Sequence, residues 1–312
     1  HPLFSLTFNL VRESVYPIYY MLSLIFTMKK IDTLIPDIYN LFKDEGGCSL
    51  SNKKRDEIID QCLSNIKDQV VDAITGKDIQ PKKLRMSNVG YPDKQLWYQF
   101  QDIEKEPLND NDYIKFLYGH IIEELVLCLS ELAGHRVTDR QKETKLEGVK
   151  GHIDGRVDGI LTDVKSASHI SFKKFQDHSL YTDDPFGYLD QLSSYATAEG
   201  DREATFLVMN KLTGELCLMP LHELEITDTG ERIKYLKRVV KSKTPPPKCY
   251  PDVPDGKSGN YKLGLNCFYC AYKKDCWSDA NNGHGLRAFE YKKGITYLTR
   301  VSRVPDVPEI RI

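Results

Sequence analysis

Hardly any net charge is left over in this chain: 43 Lys and Arg face 45 Asp and Glu, a formal balance of −2. No global basic field advertises nucleic acid, so any contact with it has to come from a local surface. Long apolar runs are missing too. The uncharged stretch 14–27 has only 14 residues and contains Pro17, which is too short to span a bilayer. Arg12 precedes it as in a signal peptide, but no small-residue cleavage site follows, and Lys29 and Lys30 come next. Met28 is the more natural start, and residues 1–27 read as an upstream extension. Repeats and low-complexity tracts are lacking, which excludes a solenoid. The cysteines are not spread as in a disulfide scaffold. Cys48, Cys62, Cys128 and Cys217 are scattered, whereas Cys249, Cys267, Cys270 and Cys276 gather near the C-terminus. A reducing, cytoplasmic setting with a metal-binding cluster fits this usage.

What is present is an ordinary globular balance, 40% hydrophobic and 28% charged, with length for one large domain and an appendage. Ile59, Cys62, Ile66, Val70 and Ala73 recur at helical spacing over 51–75, and Gly76 follows as a stop. A second helix runs from Asp110 or Asp112 to about Leu132, stopped by Gly134. The period then changes to that of strands at 135–141, 149–155 and 160–166, with Asp158-Gly159 as the turn between the last two. A helix over 185–200, strands over 204–210 and 215–221, and a helix over 229–242 complete a mixed α/β core. The run Thr244-Pro245-Pro246-Pro247 is a stiff boundary before the cysteines. The expected divisions are therefore a helical N-terminal region over 28–110, a core over 111–243, a four-cysteine module over 244–285 and a tail over 286–312, for which the sequence offers no role.

Asp154 ends one strand and Asp163 lies in the next, so a short turn can set two carboxylates side by side. Hard cations such as Mg²⁺ and Mn²⁺ want such oxygen ligands. Lys165 shares a strand face with Asp163. There an ammonium can orient an attacking water and offset developing negative charge. On the preceding helix His120 and Glu124 are spaced i, i+4 and share a face, which makes them candidate further ligands. A solvated hairpin edge and a polar helix face have the same spacing. Cys267-x2-Cys270-x5-Cys276 is a stronger metal signal, with Cys249 as a plausible fourth ligand. Four thiolates suit zinc or an iron–sulfur cluster equally.

Taken together, His120-x3-Glu124, "GHIDG", Asp163-x-Lys165 and Gln191-x3-Tyr195 resemble the motifs of the PD-(D/E)XK nuclease superfamily, RecB-like branch. That branch includes nuclease domains of bacterial recombination helicases, CRISPR-associated RecB-like nucleases and many phage exonucleases. Ile153 stands where the family name expects proline, and Asp158 is a second candidate for the motif aspartate. The resemblance covers about residues 86–280. It implies a restriction-endonuclease-like αβββαβ core and a Mg²⁺- or Mn²⁺-dependent exonuclease acting on single-stranded DNA or duplex ends, in phage DNA processing, recombination or repair. Asp154 and Asp163 would hold the metal with His120 or Glu124, Lys165 would serve the water, and Gln191 and Tyr195 would support the site or contact DNA. Lys173, Lys174, Tyr181 and Phe186 are candidate guides for a strand. The resemblance also favours a [4Fe–4S] cluster over Zn²⁺ on the four cysteines. In relatives with such a cluster the first cysteine usually precedes the core, but residues 86–100 contain none; the resemblance to phage-type relatives then points to Cys249 in its place, with Cys62 and Cys48 as the fallback. A structure-specific endonuclease and a non-catalytic DNA-binding adaptor are the competing readings.

Overall fold

The computed structural model describes residues 29–43, 47–76, 82–107, 110–223 and 225–312; the expected upstream extension lies outside them. Elements are numbered in chain order. Helix α1 is Leu34–Asn40 and α2 is Asn52–Thr75. Helix α2 begins where the Ser51 hydroxyl accepts from Lys54 N at 3.3 Å and stops at Gly76, whose φ of 69° suits glycine. Helix α3 is Asp93–Phe100 and α4 is Asp110–Leu132. Helix α4 ends in a left-handed Gly134, with His135 N donating to Ser130 O at 3.0 Å.

Five strands make the main sheet, in the order β1 (Val137–Thr138), β4 (Gly155–Val157), β5 (Ile160–Ala167), β6 (Ala204–Asn210) and β7 (Leu216–Leu221). All neighbours are antiparallel except β5 and β6. A parallel pair needs a crossover, and helices α5 (His169–Gln176) and α6 (Tyr188–Glu199) supply it. The expected single strand over 149–155 is divided. Its first half, β3 (Val149–His152), pairs with β2 (Glu143–Leu146) in a separate ribbon, and only its second half joins the sheet as β4. Asp158 and Gly159, at φ 52° and 89°, make the expected tight turn.

The sheet is covered on both faces. On one, Leu161, Phe206 and Val208 pack with Phe172, Phe175 and Leu192 of α5 and α6 and with Leu236 of α7 (Gly230–Val239). On the other, Val164 and Leu207 pack with Leu34 and Ile38 of α1 and with Ile122 and Val126 of α4. Strand β6 is apolar on both sides, and so reads as a continuous apolar run in sequence. Two backbones cross closely beside α6. A methyl group placed at Gly90 would come within 2.4 Å of the Gly187 backbone, and the reverse holds equally.

Beyond the prolines a second sheet forms, in the order β12 (Glu309–Ile310), β10 (Arg287–Tyr291), β11 (Gly294–Arg300), β9 (Tyr261–Lys262) and β8 (Val253–Pro254). The tail is thus built into a sheet with residues on both sides of the cysteine loop. Among the described residues no helix is long and apolar enough to cross a membrane.

Candidate active site

The β4–β5 register pairs Gly155 with Thr162. One residue further out, Asp154 and Asp163 leave adjacent strands side by side. Asp154 Oδ2 accepts a hydrogen bond from Val164 N at 2.7 Å, which fastens its carboxylate to β5. Asp163 is only 2% exposed, and neither of its oxygens accepts a hydrogen bond. Lys165 Nζ makes an ion-pair contact with it, 2.6 Å from Oδ2. A buried carboxylate without hydrogen bonds is costly, because water has been taken away and little put in its place.

Glu123 of α4 comes to the same place. Gly119, one turn earlier, faces β5: a methyl group there would be in ordinary contact, 3.6 Å from Ser166 Oγ. Gln141 Nε2 donates to Glu123 Oε1 at 2.7 Å. Burial, followed by repulsion from Asp163, pushes the Glu123 carboxyl up to about 7. Burial, Glu123 and Asp163 together hold Asp154 well above the usual carboxylate range. Burial disfavours the charged form of Lys165, but Asp163 and Asp154 outweigh it and raise the ammonium above its ordinary value. Three carboxylates and one lysine therefore share a pocket in which full ionisation leaves excess negative charge.

The expected helix partners lie elsewhere. Glu124 is buried on the opposite side of α4, where Arg140 Nη1 donates to Oε2 at 3.0 Å and Asn65 Nδ2 at 2.9 Å. His120 is exposed. Sequence spacing selected the pair His120 and Glu124; the helix turns their neighbour, Glu123, toward the hairpin instead. Gly119 faces β5, and Glu123 is its i+4 residue on the same face of the helix. Asp158, the alternative aspartate, is fully engaged: Oδ2 is 2.6 Å from His135 Nδ1, and Oδ1 accepts from Arg136 N at 3.0 Å.

Tyr195 and Gln191 of α6 lie against the same pocket, with Gln191 Nε2 donating to the Tyr195 hydroxyl at 3.5 Å. Burial and then Asp163 raise the Tyr195 phenol. Tyr188, unremarked in the sequence, sets its ring 5.2 Å from Lys165 Nζ. Lys174 is tied to Asp183 at 2.5 Å and Tyr181 to Pro220 O at 3.2 Å, whereas Lys173 and Phe186 are exposed.

The four clustered cysteines come into one neighbourhood. Cys267 feels Cys270 and Cys249, and Cys276 feels Cys270 and Cys267. Burial pushes the Cys276 thiol up to about 11. Tyr272 stacks on Tyr98 at 5.6 Å beside them, and Trp277 packs against Cys267 and Cys276. As the side chains stand, no three His, Cys, Asp or Glu among the described residues surround one point closely enough to hold a metal ion.

These features define a mixed α/β protein with a buried carboxylate–lysine pocket on the central strand of its main sheet. No family model matches the chain, and no curated protein matches it. Two solved structures are similar in part. An alkaline exonuclease (LHK-Exo) from Laribacter hongkongensis aligns with 51% of this chain and 90% of its own, at 14% identity and a TM-score of 0.35. The protein SSO0001 aligns with 67% of this chain and 93% of its own, at 10% identity and a TM-score of 0.36. Likenesses this faint decide neither fold family nor activity.

Proposed function

We propose that the chain is a divalent-metal-dependent deoxyribonuclease of PD-(D/E)XK type, an exonuclease of phage or recombination and repair DNA processing. The observation that carries this reading is the buried Asp163 carboxylate, ion-paired to Lys165 through Oδ2 and unpartnered at Oδ1, set beside Asp154 and Glu123. A hard dication suits the chemistry of the donor set, since it would offset the excess negative charge and give Asp163 Oδ1 the partner it lacks, although as the side chains stand the three carboxylates do not surround one point. Asp154, Asp163 and Glu123 are the residues that would hold it, and when bound it supplies a Lewis acid and an acidified water. Lys165 meets the negative charge that develops on the scissile phosphate. Asp163 keeps that ammonium in place, and the ring of Tyr188 limits its swing. Tyr195 and Gln191 close the pocket against bulk water and keep a phenolic O–H for a phosphate oxygen. The deciding measurement is incubation with end-labelled single- and double-stranded DNA, with Mg²⁺ or Mn²⁺ and with chelator. Metal-dependent products progressing from an end support the reading; no products under any metal would overturn it.

The same reading assigns a structural [4Fe–4S] cluster to Cys249, Cys267, Cys270 and Cys276. What supports it is the spacing Cys267-x2-Cys270-x5-Cys276 and the nearness of the four thiols beside Tyr272 and Trp277, although as they stand they do not surround one point. Zinc fits the same donors.

A further inference from the structure

Charge is unevenly divided along the chain. Residues 244–312 carry eleven Lys and Arg against seven Asp and Glu, while residues 1–243 carry thirty-two against thirty-eight. The cationic excess is therefore local to the C-terminal module. Within it Lys248, Lys262, Lys273, Lys274 and Arg287 are tied to carboxylates. Six others are exposed and make no ion pair among the described residues: Lys292, Lys293 and Arg311, and a group of three, Lys257, Arg300 and Arg303.

These three gather at one end of the second sheet. Arg300 closes β11 opposite Tyr261, the first residue of β9, and its guanidinium lies 3.8 Å from that ring. Lys257 occupies the turn leading into β9, and Arg303 lies just past the end of β11. Two asparagines fix the loops that carry them. Buried Asn260 donates to Arg303 O at 2.8 Å and accepts from Ser302 N at 2.8 Å and Arg303 N at 2.9 Å. Asn281 donates to Gly285 O at 2.8 Å and Leu298 O at 3.0 Å, and accepts from Val301 N at 3.0 Å. Asn281 and Asn282 hold left-handed backbone, φ 48° and 60°, so the loop's shape is kept at a conformational cost. Beside the Asn281 loop opens a cleft of about 540 Å³ lined in part by the cations Lys248, Arg287 and Arg300, by Trp277, and by the carboxylates Asp252 and Asp279. It is large enough for one nucleotide base, which a duplex would keep stacked inside itself.

We propose that this end of the C-terminal sheet is a second nucleic-acid contact, which grips the phosphodiester chain of single-stranded DNA with Lys257, Arg300 and Arg303 and receives a base in the cleft. The proposal rests on the nuclease reading for its choice of polymer, but not for its geometry. Unpaired cations, a guanidinium stacked on Tyr261 and a concave surface with Trp277 in its wall belong to the general equipment of single-strand binding.

The test is fluorescence anisotropy of a labelled oligodeoxythymidine with the intact protein in chelator, so that turnover plays no part. Lys257→Gln combined with Arg303→Gln removes two charges from exposed turns without touching a buried side chain. Binding should weaken about tenfold at low salt, and the slope of log affinity against log salt should fall by about 1.4, the value for two lost single-strand phosphate contacts. Arg300→Gln should add to the loss. Equal affinity for parent and double variant, or tighter binding of the parent to polyglutamate or to blunt duplex than to the single strand, would overturn the proposal. Cleavage is scored separately. A parent that binds through these residues but cuts nothing sinks the nuclease reading alone, and one that cuts but binds independently of them sinks this proposal alone.

Discussion

Glu123 and Glu124 are adjacent in the chain but serve different parts of the molecule. Glu124→Gln leaves Arg140 with Glu131 alone, 2.7 Å away, and should cost about 1–3 kcal/mol of stability, read as a fall in Tm, with metal affinity little changed. Glu123→Gln should do the reverse, weakening Mg²⁺ or Mn²⁺ binding by calorimetric titration while leaving Tm at neutral pH unchanged or raised. A carboxyl whose folded value is raised, here from 4.5 to about 7, binds its proton more tightly in the folded chain. Its contribution to stability is thus present below about 4.5 and lost as pH rises toward 7. In chelator, Tm should fall across that window, with Asp154 acting in the same direction, and Glu123→Gln should flatten the fall. A Tm that instead climbs through the same window would contradict the mutual repulsion described for this pocket. Lys165→Ala should lower cleavage on the order of 10²–10³-fold with DNA binding retained; near-parental turnover at matched metal would remove Lys165 from the chemistry.

The hairpin shows which information an element carries in its sequence and which it does not. Asp158-Gly159 announced its turn, and the alternation in 160–166 announced β5 with Asp163 and Lys165 on one face. The break between β3 and β4 was not legible, because both halves alternate alike and only pairing with β2 separates them. The position of Glu124 was misread for a related reason. Spacing on a helix fixes which residues share a face, but the partner decides which face is inward, and α4 has partners on two sides, β5 and α2. Arg140 and Asn65, which claim Glu124, come from segments far from it in sequence or lacking any motif. At this scale the two aspartates part company. Asp154→Asn should weaken metal binding. Asp158→Asn should spare it and lower Tm, since Asp158 is bonded to His135, whose Nε2 lies 3.1 Å from Asp37 at the start of α1. Metal titration and thermal melts of the two variants decide the matter, and a larger metal defect in Asp158→Asn would reverse the assignment.

Across the whole molecule, the cysteine loop packs on Trp97 and Tyr98 of α3 and Val239 of α7 on one side and on Tyr297 of β11 on the other, and Tyr98 and Tyr272 stack across the join. A cluster held there would add its binding energy to folding and fasten the C-terminal sheet to the core. Protein purified without oxygen should be brown, with roughly four iron and four sulfide per chain. Cys270→Ala should lose colour and Tm together, and a colourless protein with zinc would keep the structural role while rejecting iron. The spacing of the cysteines was plain in the sequence. The sheet beyond them was not, because β8 and β9 are two residues each and β12 is paired only through the return of the chain.

The crossing at Gly90 and Gly187 makes two distant codons a single locus. A side chain at either position meets peptide backbone of the other, which cannot be trimmed by a second substitution. Gly187 moreover sits at φ 70°, where other residues are strained. Neither position can drift first and wait for its neighbour to compensate. Tyr91 and Tyr188, the next residues along each strand of the crossing, flank Lys165. Selection for a competent lysine therefore reaches back to two residues that have no side chain to select.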